Sequence, residues 1–244
     1  MDTSSKKSNE SFEYVGDELS LFQHAVNWKK YYAGVLAKYI KGDVLEVGGG
    51  IGATARTLCN PSVKRWVSVE PDPELVKLMR DSFEKEPLPV EPEIVTGTID
   101  DAPVDEKYDS VIYIDVLEHI EDDHAEMVRA RDWLKPGGHL VVLCPAHQWL
   151  FTPFDEAIGH FRRYSRKTMG AVAPEEGLKR ERLIYLDSAG MLASMGNWLF
   201  LKASMPTIDQ IKLWDSKLVP VSRWLDRLLF HRVGKSVVGV WRKV

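Results

Sequence analysis

The chain has 244 residues, of which 44% are hydrophobic and 28% are charged, with a formal net charge of −4. This length allows one substantial core, so we expect one α/β domain with a cap. The acidic balance argues against a nucleic-acid binder, which usually carries a basic stripe. There is no long apolar run, no signal peptide, and no metal-ligand spacing around Cys59 and Cys144, which we expect to be small buried residues. A cytoplasmic location is therefore expected.

The N-terminal region divides into a tail and a helical cover. Residues 1–12 are polar and are expected to be disordered. From Asp17 or Ser20 to Tyr39, apolar residues recur at helical spacing, which predicts a helix. We therefore interpret residues 13–41 as a helical cover at the start of a single domain spanning 13–244.

A short apolar strand leads into a glycine-rich turn and then into a helix-like segment at about 52–59. Glycine lets a ligand lie directly against the main chain, and free N–H groups at a helix start favour an anionic group. The pattern indicates a nucleotide-type cofactor site at the first crossover of an α/β sheet. The segment contains one acid and four glycines: Glu46, Gly48, Gly49, Gly50 and Gly52.

The glycine run fits two cofactor motifs. Gly48-x-Gly50-x-x-Ala53 matches a dinucleotide fingerprint, which would indicate a nicotinamide-dependent oxidoreductase. Glu46-x-Gly48-x-Gly50-x-Gly52 resembles motif I of the class I S-adenosylmethionine (SAM)-dependent methyltransferases. A carboxylate at position 46 would repel a pyrophosphate and attract the amino group of a methionine moiety, directly or through water. The methyltransferase interpretation is therefore favoured.

Later segments follow the order of that family. A second strand ends at Glu70, where a carboxylate can accept two hydrogen bonds from a ribose diol. The resemblance implies that residues 95–103 bracket the adenine. Many relatives carry an aspartate where Thr98 stands, so Asp100 or the backbone around Ile99 is expected to take that role instead.

The fourth strand ends at Asp115, at the edge where open α/β sheets bind ligands. Residues 117–119 (Leu-Glu-His) resemble a motif of the ubiquinone-biosynthesis-like methyltransferases, and residues 134–138 resemble their turn into the fifth strand. The residues expected to bind SAM are Glu46, Gly48, Gly49, Gly50, Gly52, Glu70, Pro71, Thr98, Ile99, Asp100, Asp115 and Val116.

Strand-like and helix-like segments alternate through the SAM-binding core at 42–145, which predicts a parallel sheet with helices on both faces. The resemblance implies a Rossmann-like fold with a seven-stranded, mostly parallel sheet whose last strand is antiparallel. Further helices are predicted at 73–84, 121–134 and 166–173 (capped by Ser165), and further strands at 179–187 and 235–242.

Residues 146–165 form a long connection at the ligand edge, which we interpret as a substrate loop. An acceptor that receives a methyl group also loses a proton, so a nearby base helps. The candidate catalytic residues are His147, Asp155 and His160, with His119 behind them. Arg162 and Arg163 either clamp an anionic substrate group or pair with acids of the loop; we favour pairing. Clustered carboxylates cannot be assigned, so no metal is predicted.

Residues 188–232 are predicted to be a helical cap insertion, with helices at 190–205 and 209–231 and a start or kink at Pro220. The second helix interleaves apolar and basic residues. Such a helix either packs against its own domain, which we favour, or lies on a membrane surface. Membrane contact would make a lipid or lipid-linked saccharide an attractive acceptor.

The leading hypothesis is a transferase that moves a methyl group from SAM to an oxygen or nitrogen of a small molecule. A nicotinamide-dependent oxidoreductase and a non-catalytic protein of the same fold are the alternatives. The resemblance also implies that N-terminal helices cover the cofactor, which makes Tyr14, Trp28 and Tyr31 candidates for lining the site. Neither the acceptor nor the oligomeric state follows from the sequence.

Overall fold

A computed structural model describes residues 22–103, 107–196 and 207–244. Its strands are β1 (Gly42–Val47), β2 (Val63–Glu70), β3 (Pro92–Thr96), β4 (Tyr108–Ile114), β5 (Leu134–Pro145), β6 (Leu178–Leu186) and β7 (Ser236–Lys243). They form one seven-stranded sheet in the order β3-β2-β1-β4-β5-β7-β6. β7 runs antiparallel to β5 and β6, and the other neighbouring pairs are parallel. This confirms the predicted Rossmann-like methyltransferase fold.

Helices connect the strands and cover the sheet. They are α1 (Val26–Leu36), α2 (Ala53–Leu58), α3 (Pro73–Lys85), α4 (Asp123–Trp133), α5 (Pro153–Ala157), α6 (Arg166–Val172), α7 (Ser188–Gly196), α8 (Ile208–Leu213) and α9 (Val219–Leu228). Local side chains fix their starts. Asp72 accepts the backbone N–H groups of Glu74 and Leu75 before α3, and Ser165 accepts that of Thr168 before α6, as predicted.

The sheet separates two hydrophobic cores. Side chains alternate across a strand, so in β4 Val111 and Tyr113 belong to one core and Ile112 belongs to the other. The central strands are therefore apolar at nearly every position, as expected for a parallel sheet that is covered on both faces.

Buried carboxylates tie the cap helices to α1 and to the end of β6. Asp226 on α9 accepts hydrogen bonds from the Tyr31 hydroxyl (2.7 Å) and the Asp187 amide (2.7 Å). Asp215 accepts the amides of Asn27 (3.0 Å) and Trp28 (2.8 Å). The cap and the N-terminal cover are thus one packed unit over the sheet. Within the described ranges, no helix is long and apolar enough to cross a bilayer.

Three element predictions need adjustment. α1 begins at Val26, because residues 23–25 are not helical; the tail at 1–12, Tyr14 and the predicted helix start lie outside the described residues. α7 ends at Gly196 where the described range stops, so the rest of the predicted 190–205 helix lies outside it. The helix predicted at 209–231 contains a π-helical turn over Trp214–Leu218, directly before Pro220, which has no N–H to donate to the preceding turn.

The cysteines are both free, and their burial differs from the prediction in one case. Cys144 is buried, as predicted, whereas Cys59 is only half-buried at the end of α2.

Candidate active site

A cavity of about 670 Å³ lies at the carboxyl ends of β1, β4 and β5. It is lined by the glycine turn after β1, by Asp115 after β4, by Pro145 at the end of β5, and by residues of α1, α7 and α8. Its volume is in the range of small-molecule sites, and its position is where open α/β sheets bind ligands.

The glycine turn presents bare backbone to this cavity. The amides of Gly48 and Gly49 donate to the carbonyl of Val69, which fixes the turn to β2. A Cβ atom at Gly49 would lie 2.6 Å from the Met79 side chain, and one at Gly52, where φ is +80°, would lie 2.6 Å from Phe83. The turn is therefore packed on α3 behind and free of side chains in front, which is a cradle that fits the methionine part of SAM.

Glu70 braces the same turn from the tip of β2. Its carboxylate accepts the amide of Gly50 at 2.8 Å and that of Asp72 at 3.0 Å. Burial raises its pKa, and these hydrogen bonds oppose the shift. Glu70 does not line the cavity, so its contact with a ribose diol stays a prediction.

Glu46 lies inside the domain, away from the cavity lining. Its Oε2 accepts hydrogen bonds from the Ser68 hydroxyl (2.6 Å) and the Trp66 indole (3.0 Å), and its Oε1 has no partner in the described part of the chain. Burial raises the pKa of this carboxyl to about 7. The predicted contact between Glu46 and the methionine amino group stays a prediction.

The residues predicted to meet the adenine also lie outside the cavity lining. Thr98 caps the short turn Ile99–Asp101 through the Asp101 carboxylate. The Ile99 side chain is buried and Asp100 is exposed. Two further residues were predicted to bind SAM. Val116 packs against Gly48, and Pro71 is half-buried after β2.

Asp115 is the predicted cofactor residue whose side chain does open into the cavity. Its backbone has φ of +55°, an uncommon conformation for a residue other than glycine that is frequent at functional sites. Desolvation raises the pKa of Asp115, and the charge of Lys235 opposes the shift. Lys235 also lines the cavity, 3.6 Å from Asp187 and 3.7 Å above the Trp214 ring. No sequence motif indicated this lysine.

Asp155 and His160 form a hydrogen-bonded pair in the substrate loop. The Asp155 carboxylate lies 2.9 Å from His160 Nδ1 and accepts two hydrogen bonds from the Arg163 guanidinium, at 2.7 and 2.9 Å. It also accepts the Thr152 amide at the start of α5. Burial raises the pKa of Asp155, but its hydrogen bonds with His160 and Arg163 outweigh that and hold it well below the usual range. With every lone pair engaged, Asp155 is suited to positioning His160 rather than to accepting a proton.

The other two predictions for the substrate loop concern His147 and the two arginines, and all three residues make contacts within the protein. His147 is not among the cavity-lining residues: its Nε2 lies 3.0 Å from the Gly234 carbonyl, and its ring stacks on Tyr185. Burial lowers its pKa. Arg163 pairs with Asp155 of the loop at 2.7 Å, as favoured, whereas Arg162 pairs at 2.7 Å with Asp123 on α4, outside the loop.

The structure brings Glu118 and His119 to His160; the sequence interpretation had placed His119 behind the candidate bases, but it had not included Glu118. One potential ligand atom from each residue lies within 4.8 Å of those of the other two. Burial lowers the pKa of His119 to about 4, and burial raises that of Glu118, with the charge of Asp115 adding to the shift. The prediction of no metal assumed that ligands could not be assigned, whereas these three residues are a candidate set. The available signal was the Glu-His pair directly after the strand that ends at Asp115.

Comparison with known proteins finds a family match for the central part of the chain. Residues 45–142 match the family described as "Methyltransferase domain". This range contains the glycine turn, Glu70, Asp115 and the Glu118–His119 pair. No curated protein sequence matches the chain.

Solved structures share the fold at low sequence identity. Coclaurine N-methyltransferase, bound to N-methylheliamine and S-adenosylhomocysteine (SAH), superposes with a TM-score of 0.61 at 14% identity, covering 90% of this chain and 72% of that one. A SAM-dependent methyltransferase from Clostridium acetobutylicum gives 0.56 at 12% identity, covering 89% and 91%. The [4+2]-cyclase SpnF gives 0.58 at 15% identity, covering 88% and 81%.

Proposed function

We propose that this chain, which carries a class I SAM-dependent methyltransferase domain, transfers a methyl group from SAM to an oxygen or nitrogen of a small-molecule acceptor. The observation that carries the proposal is one cavity that joins the bare glycine turn to His160. A cofactor on the turn and an acceptor beside His160 would share that cavity. The match to the methyltransferase domain disfavours the nicotinamide alternative.

SAM supplies an electrophilic methyl group on a sulfonium, so the chain's own residues have to align the acceptor, exclude water and handle a proton. The Asp155–His160 hydrogen bond fixes the ring orientation of His160. It leaves the Nε2 lone pair to accept a hydrogen bond from an acceptor O–H or N–H group. The His160 side chain is largely buried, at 7% exposure, so water has little access to that atom.

The test is a screen of hydroxyl- and amine-bearing acceptors with methyl-labelled SAM, followed by comparison of the wild type with His160→Asn. We expect labelled product from the wild type and a rate at least about 100-fold lower in the variant, the size of a general-base contribution. SAH affinity, measured by calorimetry, should be unchanged in His160→Asn, because this residue lies on the acceptor side.

His124→Asn is the matched control, since this histidine is exposed on α4 and bonds to the Val172 carbonyl. It should retain both activity and SAH affinity. A His160→Asn variant as active as the wild type would contradict the acceptor position proposed here. Absence of labelled product from every acceptor pool, in a chain that binds SAH, would favour the non-catalytic alternative.

A second candidate, an acceptor presented at a membrane surface, is supported by the outer face of α9. Val221, Trp224 and Leu228 lie along one side of this helix and are 50%, 67% and 58% exposed. The basic residues around them are also exposed: Lys212, Lys217, Arg223, Arg227 and Arg232. An apolar stripe flanked by cations is suited to an anionic lipid surface.

Vesicle co-sedimentation tests this candidate. The full chain should bind vesicles that contain phosphatidylglycerol and should bind neutral vesicles much less. Trp224→Ser should weaken binding several-fold because it removes an indole ring that is 67% exposed on this face of α9. Leu78→Ser is the control, because Leu78 is 51% exposed on α3. Equal binding by wild type and Trp224→Ser, or none by either, would exclude α9 as a membrane contact.

A further inference from the structure

We propose that Lys235 binds a carboxylate of the acceptor inside the cavity. The acceptor class is thereby narrowed to molecules that carry one carboxylate besides the hydroxyl or amine that is methylated. Lys235 lies directly before β7; its side chain is 23% exposed and lines the cavity. This acceptor class rests on the proposed function, but binding of the carboxylate is measurable without methyl transfer.

The cations that line the cavity differ in how they are paired. Among the described residues, the lysines and arginines of the lining are Lys29, Arg163 and Lys235. The Lys29 ammonium donates to the Gln23 carbonyl at 3.1 Å. Arg163 donates two hydrogen bonds to the Asp155 carboxylate, at 2.7 and 2.9 Å, so its planar fork is already used. Lys235 is therefore the cation to examine for a ligand.

The acid beside Lys235 is satisfied by other donors. Asp187 accepts hydrogen bonds from the Trp214 indole (2.8 Å), the Gly190 amide (3.0 Å) and the Ser222 hydroxyl (2.5 Å). The Lys235 ammonium lies 3.6 Å from Asp187 Oδ2, beyond the roughly 2.7–3.2 Å of a normal N–H···O hydrogen bond. Asp187 thus attracts the ammonium electrostatically without using up its three N–H donors.

The ammonium is held in place before any ligand arrives. It lies 3.7 Å from the centroid of the Trp214 ring, which is a cation–π contact. The backbone of Lys235 is bonded on both sides, since its amide donates to the Asp187 carbonyl at 3.2 Å and its carbonyl accepts the Ala146 amide at 2.7 Å. A cation that is already ordered loses little entropy when it binds an anion.

Lys235 lies on the acceptor side of the cavity. Its carbonyl is bonded to the first residue of the substrate loop, and the charges of Arg163 and Asp115 act on its ammonium. Arg163 in turn binds Asp155, the partner of His160. Lys235 and His160 both line the one cavity, so a carboxylate on the first and a hydroxyl or amine at the second can belong to the same molecule.

The surrounding charges favour a single negative charge on the ligand. Burial lowers the pKa of Lys235; the charge of Asp187 opposes this shift and that of Arg163 adds to it. A bound carboxylate would supply a counter-charge to this desolvated cation. Burial raises the pKa of Asp115, which reduces its negative charge near neutral pH. One ammonium between two acids can balance a carboxylate better than a doubly charged phosphate.

Apolar side chains line the same side of the cavity. Leu150, Phe154 and Ile158, all from the substrate loop, are among the lining residues, together with Trp214. Small-molecule sites combine such walls with a few polar groups that fix orientation. The acceptor is thus expected to have an apolar body between its carboxylate and the group that is methylated. Hydroxybenzoates and aminobenzoates are simple probes of this class.

Calorimetry on the SAH-loaded full chain tests the site. The probes are the isomeric hydroxybenzoates and aminobenzoates, each compared with its uncharged carboxamide. In the wild type, the best carboxylate should bind at least about tenfold more tightly than its carboxamide, because hydrogen bonds between charged groups are the strong ones. Lys235→Met should abolish this preference and should leave SAH affinity unchanged.

Lys77→Met is the matched control, because Lys77 is exposed on α3, and it should keep the preference. Equal affinity of the wild type for acids and carboxamides, or no binding of any carboxylate, would overturn the proposal without the need for a variant. An unchanged preference in Lys235→Met would overturn it as well. Tenfold weaker SAH binding in Lys235→Met would place Lys235 against the carboxylate of the cofactor and would also reject the acceptor role.

Methyl-labelled SAM with the same compounds separates this site from the proposed function. Labelled product from uncharged acceptors alone would overturn the carboxylate site and leave the methyl-transfer proposal standing. Carboxylate binding that depends on Lys235, without labelled product from any acceptor, would support the site and overturn the methyl-transfer proposal.

Discussion

At the scale of single residues, three buried acids of the domain, Asp155, Glu118 and Glu46, differ in the groups that stabilise their charge. Asp155 accepts hydrogen bonds from Arg163 and His160, whereas the nearest of these groups to Glu118 is His160 Nε2, at 3.9 Å from Oε1. Glu46 is intermediate, because hydrogen bonds from Ser68 and Trp66 only partly offset the burial that raises its pKa to about 7. Each acid therefore responds differently to pH.

Glu46 gives a pH-dependent stability that can be measured. Its pKa in the folded chain, about 7, lies above the ordinary value of 4.5, so its favourable contribution is complete below about pH 4.5 and is lost as pH rises through 7. Glu46→Gln cannot ionise. Its free energy of unfolding relative to the wild type should rise between pH 5 and pH 8 by up to about 3 kcal/mol, at 1.36 kcal/mol per pKa unit.

Urea denaturation at the two pH values measures this difference. Glu84→Gln, at an exposed position of α3, should show the same stability relative to the wild type at both. If Glu46→Gln behaved like that control, the carboxyl would not be protonated in the folded chain at pH 5, and the burial argument would fail.

Residue positions were predictable where a local motif encodes them. The glycines and Glu70 stand at fixed positions around the first two strands, and the structure joins them through the Gly50 amide. The place of Glu118 in the site was not predictable, because it depends on the position of His160 in space. The hydrogen bond from the Phe161 amide to the Glu118 carbonyl holds the end of the substrate loop beside Glu118. Asp155 was predicted both as a candidate base and as one of the loop acids available to the arginines, and the structure shows its hydrogen bonds with Arg163 and His160.

At the scale of elements, strands were predicted closely and the cap less so. β6 and β7 were each predicted within one residue at both ends, because period-two patterns with charged flanks are local signals. Asp215 and Asp226 are both buried and each accepts a hydrogen bond from a residue of α1. Tyr31 is separated from Asp226 by 195 positions, so no local pattern could identify this pair.

The substrate loop was also predicted only in part. Its length and its position after β5 predicted a functional connection, and it does line the cavity through Thr152, Asp155 and His160. The contact between the two ends of the loop was not predictable. Ala146 pairs with Tyr164 in a β-bridge, so the two ends of the loop meet and the residues between them are held as a unit.

At the scale of the whole molecule, the sheet places the candidate site residues at one edge, beside the carboxyl ends of its parallel strands. The turns after β1 and β4 and the connection after β5 all open into one cavity, although they are far apart in sequence. The fold alone does not specify the reaction, since a [4+2]-cyclase shares it. The site residues carry the functional argument: a bare glycine turn on one side and the Glu118, His119 and His160 cluster on the other.

A crystal structure of the full chain grown with SAH tests this arrangement most directly. The account predicts the methionine part of SAH against the main chain of Gly48, Gly49 and Gly50, with its sulfur directed toward His160. SAH bound outside this cavity, or bound with its sulfur directed away from His160, would contradict it.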